Sequence, residues 1–144
     1  MIPAFDADGN LPVGTHPATW GEVEARFGTN AQRRYLLGGL KAVLAVLQRA
    51  GCVTAYIDGS FVTERTQPND FDGCWDPTGV DPKLLDPVLL DFTNGRAAQK
   101  ARYRGEVFPI IGSSGNTFLD FFQLDKHTGN PKGIIMIDLR RPLK

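Results

Sequence analysis

Cysteine is scarce: the 144 residues contain two, Cys52 and Cys74. Two thiols build neither a disulfide framework nor a four-ligand zinc site. Their places near the starts of neighbouring extended segments read as buried thiols. Histidine is as scarce. His16 and His127 each lie in a turn-like context containing Pro or Gly, form no recognisable pair, and neither reads as a general base. Net charge is absent, since 16 Lys and Arg balance 16 Asp and Glu. The chain as a whole therefore has no drive towards nucleic acid or an anionic membrane. No apolar run is long enough to span a bilayer. The first residues lack the basic region and apolar stretch of a signal peptide. These absences predict a cytoplasmic protein with no membrane partner, and neither internal repeats nor low-complexity segments suggest a modular one.

What remains is the composition of an ordinary globular protein, 42% hydrophobic and 22% charged. The length predicts a single domain over 1–144, large enough for a substantial core. Residues 1–17 are rich in Pro and Gly and are expected to form an irregular arm, pinned by Ile2, Phe5 and Leu11. Thr19 and Glu22 have the spacing of a capping box, opening a short helix to about Phe27 that Gly28 ends. Asn30 is placed to cap a longer helix to about Ala50. Within it, Leu36, Leu37, Leu40, Val43, Leu44 and Leu47 fall on one broad apolar face. Gly38 and Gly39 interrupt that helix, and close packing against the sheet is the expected reason. Strands are expected over about 53–57, 71–75, 106–111, 117–123 and 133–139. Between them lie a helix begun by Asp81-Pro82 and broken by Pro87, and a basic helix over about 94–103. The expected class is α+β: a mixed sheet with helices packed on one face.

The stretch from Tyr56 to Asp72 carries the chemistry. A strand of alternating residues breaks at Gly59-Ser60, a polar connection containing Pro68 follows, and the chain becomes extended again at Asp70-Phe71-Asp72. Residues i and i+2 of a strand share a face, so Asp70 and Asp72 project side by side with Cα atoms roughly 6.5–7 Å apart. Two carboxylates so close repel each other unless a cation lies between them, and one or two Mg²⁺ ions turn such a pair into a clamp. Gly59 permits close backbone approach, while Ser60 offers a hydroxyl and an N–H, which suits a phosphate.

Gly59-Ser60, the intervening positions 61–69 and the acidic pair Asp70 and Asp72 resemble the signature of the DNA polymerase beta-type nucleotidyltransferase superfamily. That signature is a strand, Gly-Ser, about ten residues, Asp-x-Asp, and a third acid on a later strand. The residue before Gly-Ser is usually apolar in the superfamily and is Asp58 here. Nearly the whole chain is also similar to an uncharacterised bacterial and phage family grouped with these enzymes. The similarity rests on residues 2–6, Leu11-Pro12, residues 58–63, residues 68–72 and Lys132-Gly133-Ile134. The resemblance implies a nucleotidyltransferase-like fold. It implies that Asp70, Asp72 and Asp120 are the catalytic carboxylates holding two Mg²⁺ ions, with Glu106 as the competitor for the third place. It implies further that Gly59, Ser60 and Arg65 contact the phosphates of a nucleoside triphosphate. Transfer would run to an RNA or protein hydroxyl, with tRNA or a partner protein as acceptor, as in small relatives that serve as toxin–antitoxin components; a phage-defence role is the neighbouring expectation. The alternative is a catalytically inactive module of the same fold that acts through a protein partner.

Each residue also has a plainer reading. Surface Asp pairs are common, Gly-Ser ends many strands, and Glu64 with Arg65 reads equally well as a solvent-facing pair. Asp120, set in an aromatic strand, is costly to bury without a cation. Asp125 and Asp138 look like turn or surface residues. Arg96, Lys100, Arg102 and Arg104 form a basic run suited to phosphates, although a solvated helix face is the commoner outcome.

Overall fold

A computed structural model describes residues 2–110 and 132–144. The capping box forms as the sequence predicts: the Thr19 side chain accepts from the Glu22 N–H, Glu22 answers at the Thr19 N–H, and α1 runs over Trp20–Phe27. Asn30 caps the Arg33 N–H to start α2, Ala31–Arg49. The strands are β1 at Thr15–Ala18, β2 at Thr54–Asp58, β3 at Phe71–Trp75, β4 at Gly105–Pro109 and β5 at Ile134–Asp138, and α3 covers Ala97–Tyr103.

The strands lie in the order β1-β5-β2-β3-β4. β1 with β5 and β3 with β4 are parallel; β2 is antiparallel to both its neighbours. The registers put Ala55, Ile57, Phe71, Trp75, Val107, Ile135 and Ile137 on one face. That face joins Trp20, Val23 and Phe27 of α1 and the leucine stripe of α2 in one hydrophobic core. Burial of such side chains contributes about 1.5–3 kcal/mol each, so the stripe fixes α2 against the sheet. The architecture is a mixed α+β domain with a five-stranded sheet and three helices among the described residues.

Four expectations need correction. The arm is not irregular throughout, because its end forms β1. Pro17 has no N–H to give a sheet, and it sits where that is tolerated, on an edge strand. The segment after Asp81 makes two short 3₁₀ turns, Pro82–Leu84 and Pro87–Leu90, capped by Asp81 and Asp86. Pro87 cannot donate a helical hydrogen bond, so the turns do not join. The basic helix starts at Ala97 rather than near Asn94, since Asn94, Gly95 and Arg96 have φ of 52°, 61° and 63°. Finally, the α2 glycines accommodate the end of α3, not the sheet. A Cβ on Gly39 would run into the Tyr103 carbonyl, and one on Gly38 would lie 3.1 Å from Arg104 Nη1. The strand expected over 117–123, and Asp120 and Asp125 with it, lie outside the described residues. No helix among the described residues is long and apolar enough to cross a membrane.

Candidate functional site

β2 delivers the chain to Gly59, whose φ of 81° and ψ of −169° lie in a region essentially confined to glycine. A Cβ there would stand 2.5 Å from Asp72 Oδ2 and 3.2 Å from Asp72 Cβ. The missing side chain is thus the space in which the Asp72 carboxylate sits. Ser60–Val62 then makes a 3₁₀ turn, with the Thr63 hydroxyl donating to the Ser60 carbonyl at 2.6 Å.

The connection back to β3 is held from behind by the first turn of α2. Arg33 is only 3% exposed. Its Nη1 donates to the Phe61 carbonyl at 2.7 Å, its Nη2 to the Thr63 carbonyl at 2.7 Å and its Nε to the Arg65 carbonyl at 3.1 Å. The guanidinium also stacks on Phe61, 5.3 Å from the ring centre. Burial pushes the Arg33 pKa down, but arginine stays charged in proteins. Asn30 Nδ2 donates to the Thr66 carbonyl at 2.7 Å and Gln32 Nε2 to the Pro68 carbonyl at 2.9 Å. Three neighbouring side chains therefore replace the backbone partners that this irregular loop lacks.

The N-terminal arm closes another side. The Glu64 N–H donates to the Gly9 carbonyl at 2.9 Å, and the Gly133 N–H to the Leu11 carbonyl at 2.9 Å. Between these walls lies a cleft of about 580 Å³, lined by Asp8, Gly9, Asn10, Gly59, Ser60, Thr63, Glu64, Arg65, Asn69, Asp70, Asp72 and Lys132. Five of the six expected site residues, Gly59, Ser60, Arg65, Asp70 and Asp72, line it together; the sixth, Asp120, is outside the described residues. A second cavity, about 540 Å³, lies at the far edge of the sheet by Pro17, Trp20, Met136 and Leu143, and contains none of them.

On the sheet face opposite the core, Asp72 pairs with Asp58 on β2 and with Glu106 on β4. A row of three carboxylates thus crosses three strands. Lys132 Nζ stands 3.4 Å from Asp58 Oδ1, while Arg96 Nε and Lys100 Nζ stand 2.9 and 3.5 Å from Glu106 Oε2. Cys74, on β3 beyond Asp72, has its thiol pushed up to about 12 by burial, with the Asp58 charge adding to it. The basic run is also occupied within the chain. Arg96 and Lys100 serve Glu106, Arg102 pairs with Asp86 at 2.6 Å, and Arg104 donates to the Tyr35 carbonyl at 2.6 Å.

The donor atoms around Asp70 and Asp72 are oxygens of carboxylates, amides and hydroxyls, the hard set that suits Mg²⁺. The space over Gly59 is filled by one of those carboxylates. Among the described residues no group of three or more His, Cys, Asp or Glu is assembled closely enough to hold a metal. Sequence reasoning missed Arg33, and it placed Lys132 in the family similarity without giving it a role at the site. Arg33 had left a trace, because it falls in phase with Leu36, Leu37 and Leu40 on the apolar stripe of α2.

A mixed α+β domain with an acidic, glycine-floored cleft is the class that this fold and site define. Residues 3–138 match the model of a family described as a family of unknown function, DUF6932, and the chain belongs to that family. No curated protein and no solved structure matches the chain.

Proposed function

We propose that this chain is a Mg²⁺-dependent nucleotidyltransferase with a nucleotidyltransferase-like fold, taking a nucleoside triphosphate in the cleft and passing its nucleotidyl group to an RNA or protein hydroxyl. The observation that supports this most is the meeting of Gly59, Ser60 and Arg65 with Asp70 and Asp72 along one cleft. Asp70 and Asp72, with Asp120 as the third carboxylate, would hold the Mg²⁺. When bound, that metal supplies neutralisation of the phosphate charge and activation of the acceptor hydroxyl. The chain's own groups do the rest. Gly59 lets the backbone approach a phosphate, Ser60 donates to it, and Arg65 at the rim meets the triphosphate. Arg33, Asn30 and Gln32 keep the loop in the shape that holds these donors in place, and such pre-organisation is where catalysis of this type draws its effect. A role in a toxin–antitoxin or phage-defence system, with tRNA or a partner protein as acceptor, belongs to the same reading.

Calorimetric titration with ATP, with and without Mg²⁺, tests it together with an assay for pyrophosphate release. The expected result is metal-dependent binding that Asp72→Asn abolishes while the variant keeps or gains thermal stability, as a like-charge contact is relieved. Binding that ignores Mg²⁺ and Asp72, with no pyrophosphate, would replace this reading with that of an inactive module working through a protein partner.

A further inference from the structure

Lys132 is only 7% exposed and Asp58 4%, yet Lys132 reaches the wall of the cleft. An ion pair buried to this degree is a costly feature: desolvating two charges takes back much or all of what their attraction gives, and a pair of apolar residues is often as stable. The pair is therefore weakly explained by stability. Its placement supplies a better reason. The cleft walls carry four acids, Asp8, Glu64, Asp70 and Asp72, against two cations, Arg65 and Lys132. Arg65 lies on an exposed loop, so among the described residues Lys132 is the one buried cation of the cleft.

The backbone around Lys132 is fixed. Gly133 donates to the Leu11 carbonyl, and a Cβ on Gly133 would collide with the Pro12 carbonyl and with His16. The β2–β5 register pairs Ile57 with Ile135. Lys132 lies just before β5 and lines the cleft together with Ser60, beyond the end of β2. The strand end that presents the Ser60 donor thus also presents an ammonium, held by the Asp58 carboxylate one step before Gly59. An ammonium has three N–H donors, enough to serve Asp58 and a phosphate oxygen together.

We infer that Lys132, aimed by Asp58, is the anchoring cation for a polyphosphate in the cleft and that it acts without metal. The identity of the ligand as a nucleotide rests on the function proposed above; the anion site itself does not. Lys132 is the ligand-binding group and Asp58 a positioning residue.

The test uses inorganic tripolyphosphate as the probe, titrated calorimetrically into the full chain in EDTA. Wild type is expected to bind with an affinity that falls as salt rises. Asp72→Asn is expected to bind as well or better, since a nearby negative charge is gone. Because Lys132→Met alone strands a buried carboxylate, the variant is Asp58→Asn with Lys132→Met, which neutralises both partners and is checked by thermal melting. It is expected to lose about tenfold or more in affinity, the worth of one charge-assisted hydrogen bond. A second measurement needs no variant: the Lys132 ammonium resonance of wild type should shift on adding tripolyphosphate. No metal-free binding, an unmoved Lys132 resonance, or full affinity in the double variant would each overturn the inference. Tripolyphosphate binding with no response to Mg²⁺-ATP would strike the nucleotide reading and leave the Lys132 site standing. Metal-dependent ATP binding undiminished in the double variant would do the reverse.

Discussion

Replacing Arg33 with Met tests how the cleft loop is held. The substitution keeps the length and apolar stem of the side chain and removes its donors to Phe61, Thr63 and Arg65. The losses are unequal. The Phe61 contact is buried, so its carbonyl loses a charge-assisted partner that water cannot readily replace, at about 1.5–3 kcal/mol. The Thr63 and Arg65 carbonyls are partly exposed and can turn to water, so each costs about 0.5–1 kcal/mol. Loss of the cation–π contact with Phe61 adds about 1–2 kcal/mol, since the guanidinium is buried. Against this, methionine removes the desolvation cost of a buried cation and still packs on Phe27 and Phe61. The net expectation is a loss of about 2–4 kcal/mol, read as a lower urea midpoint with an unchanged slope. Hydrogen exchange supplies the local readout, with amides 63–66 losing protection first. Arg33→Lys should recover less than half of the loss, because an ammonium is a point charge without the planar fork that spans several carbonyls. A variant within about 0.5 kcal/mol of wild type, with those amides still protected, would refute the claim that Arg33 holds the loop, since surface-like substitutions fall in that range.

Two further expectations follow from single positions. Gly59→Ala meets both a glycine-only backbone conformation and the Asp72 carboxylate, so it should cost about 1–3 kcal/mol and weaken Mg²⁺-dependent nucleotide binding. Gly79→Ala, with φ of 77° and nothing within 4 Å of its Cβ, meets the backbone term alone and should lose about 1–2 kcal/mol with binding intact; equal effects on binding would remove Gly59 from the site. The thiols predict an alkaline limit. Burial raises Cys52 from 9.0 to about 11 and Cys74 from 9.0 to about 12, so the folded chain keeps protons that the unfolded chain releases. Their contribution is complete below pH 9 and lost as pH rises from there through 11–12. Urea midpoints from pH 7 to 10.5 should fall above 9, and Cys52→Ala with Cys74→Ala should flatten that fall; an unchanged profile would contradict it.

Local chemistry was written in the sequence and came out as read. The Thr19 capping box, the Asn30 cap, the leucine stripe of α2 and the limits of β3 depend on spacings of a few residues, which act before any distant part of the chain is in place. That Asp70 and Asp72 line one cleft with Gly59 and Ser60 was legible for the same reason. Pro17 and the three left-handed residues Asn94, Gly95 and Arg96 were misjudged because propensity alone does not report which strand is an edge or where a helix is delayed. What only the tertiary structure decided is who answers each charge and what closes the cleft. Asp58 looked like a departure from an apolar position and is instead the partner of Lys132, 74 positions later. The basic run read as suited to phosphates or, more commonly, as a solvated helix face, and its cations serve Glu106, Asp86 and the Tyr35 carbonyl. Arg33 reaches three carbonyls about 30 residues away. A charge is attracted to whatever opposite charge the fold brings near, and that distance is set by the sheet register and by helix packing rather than by separation along the chain.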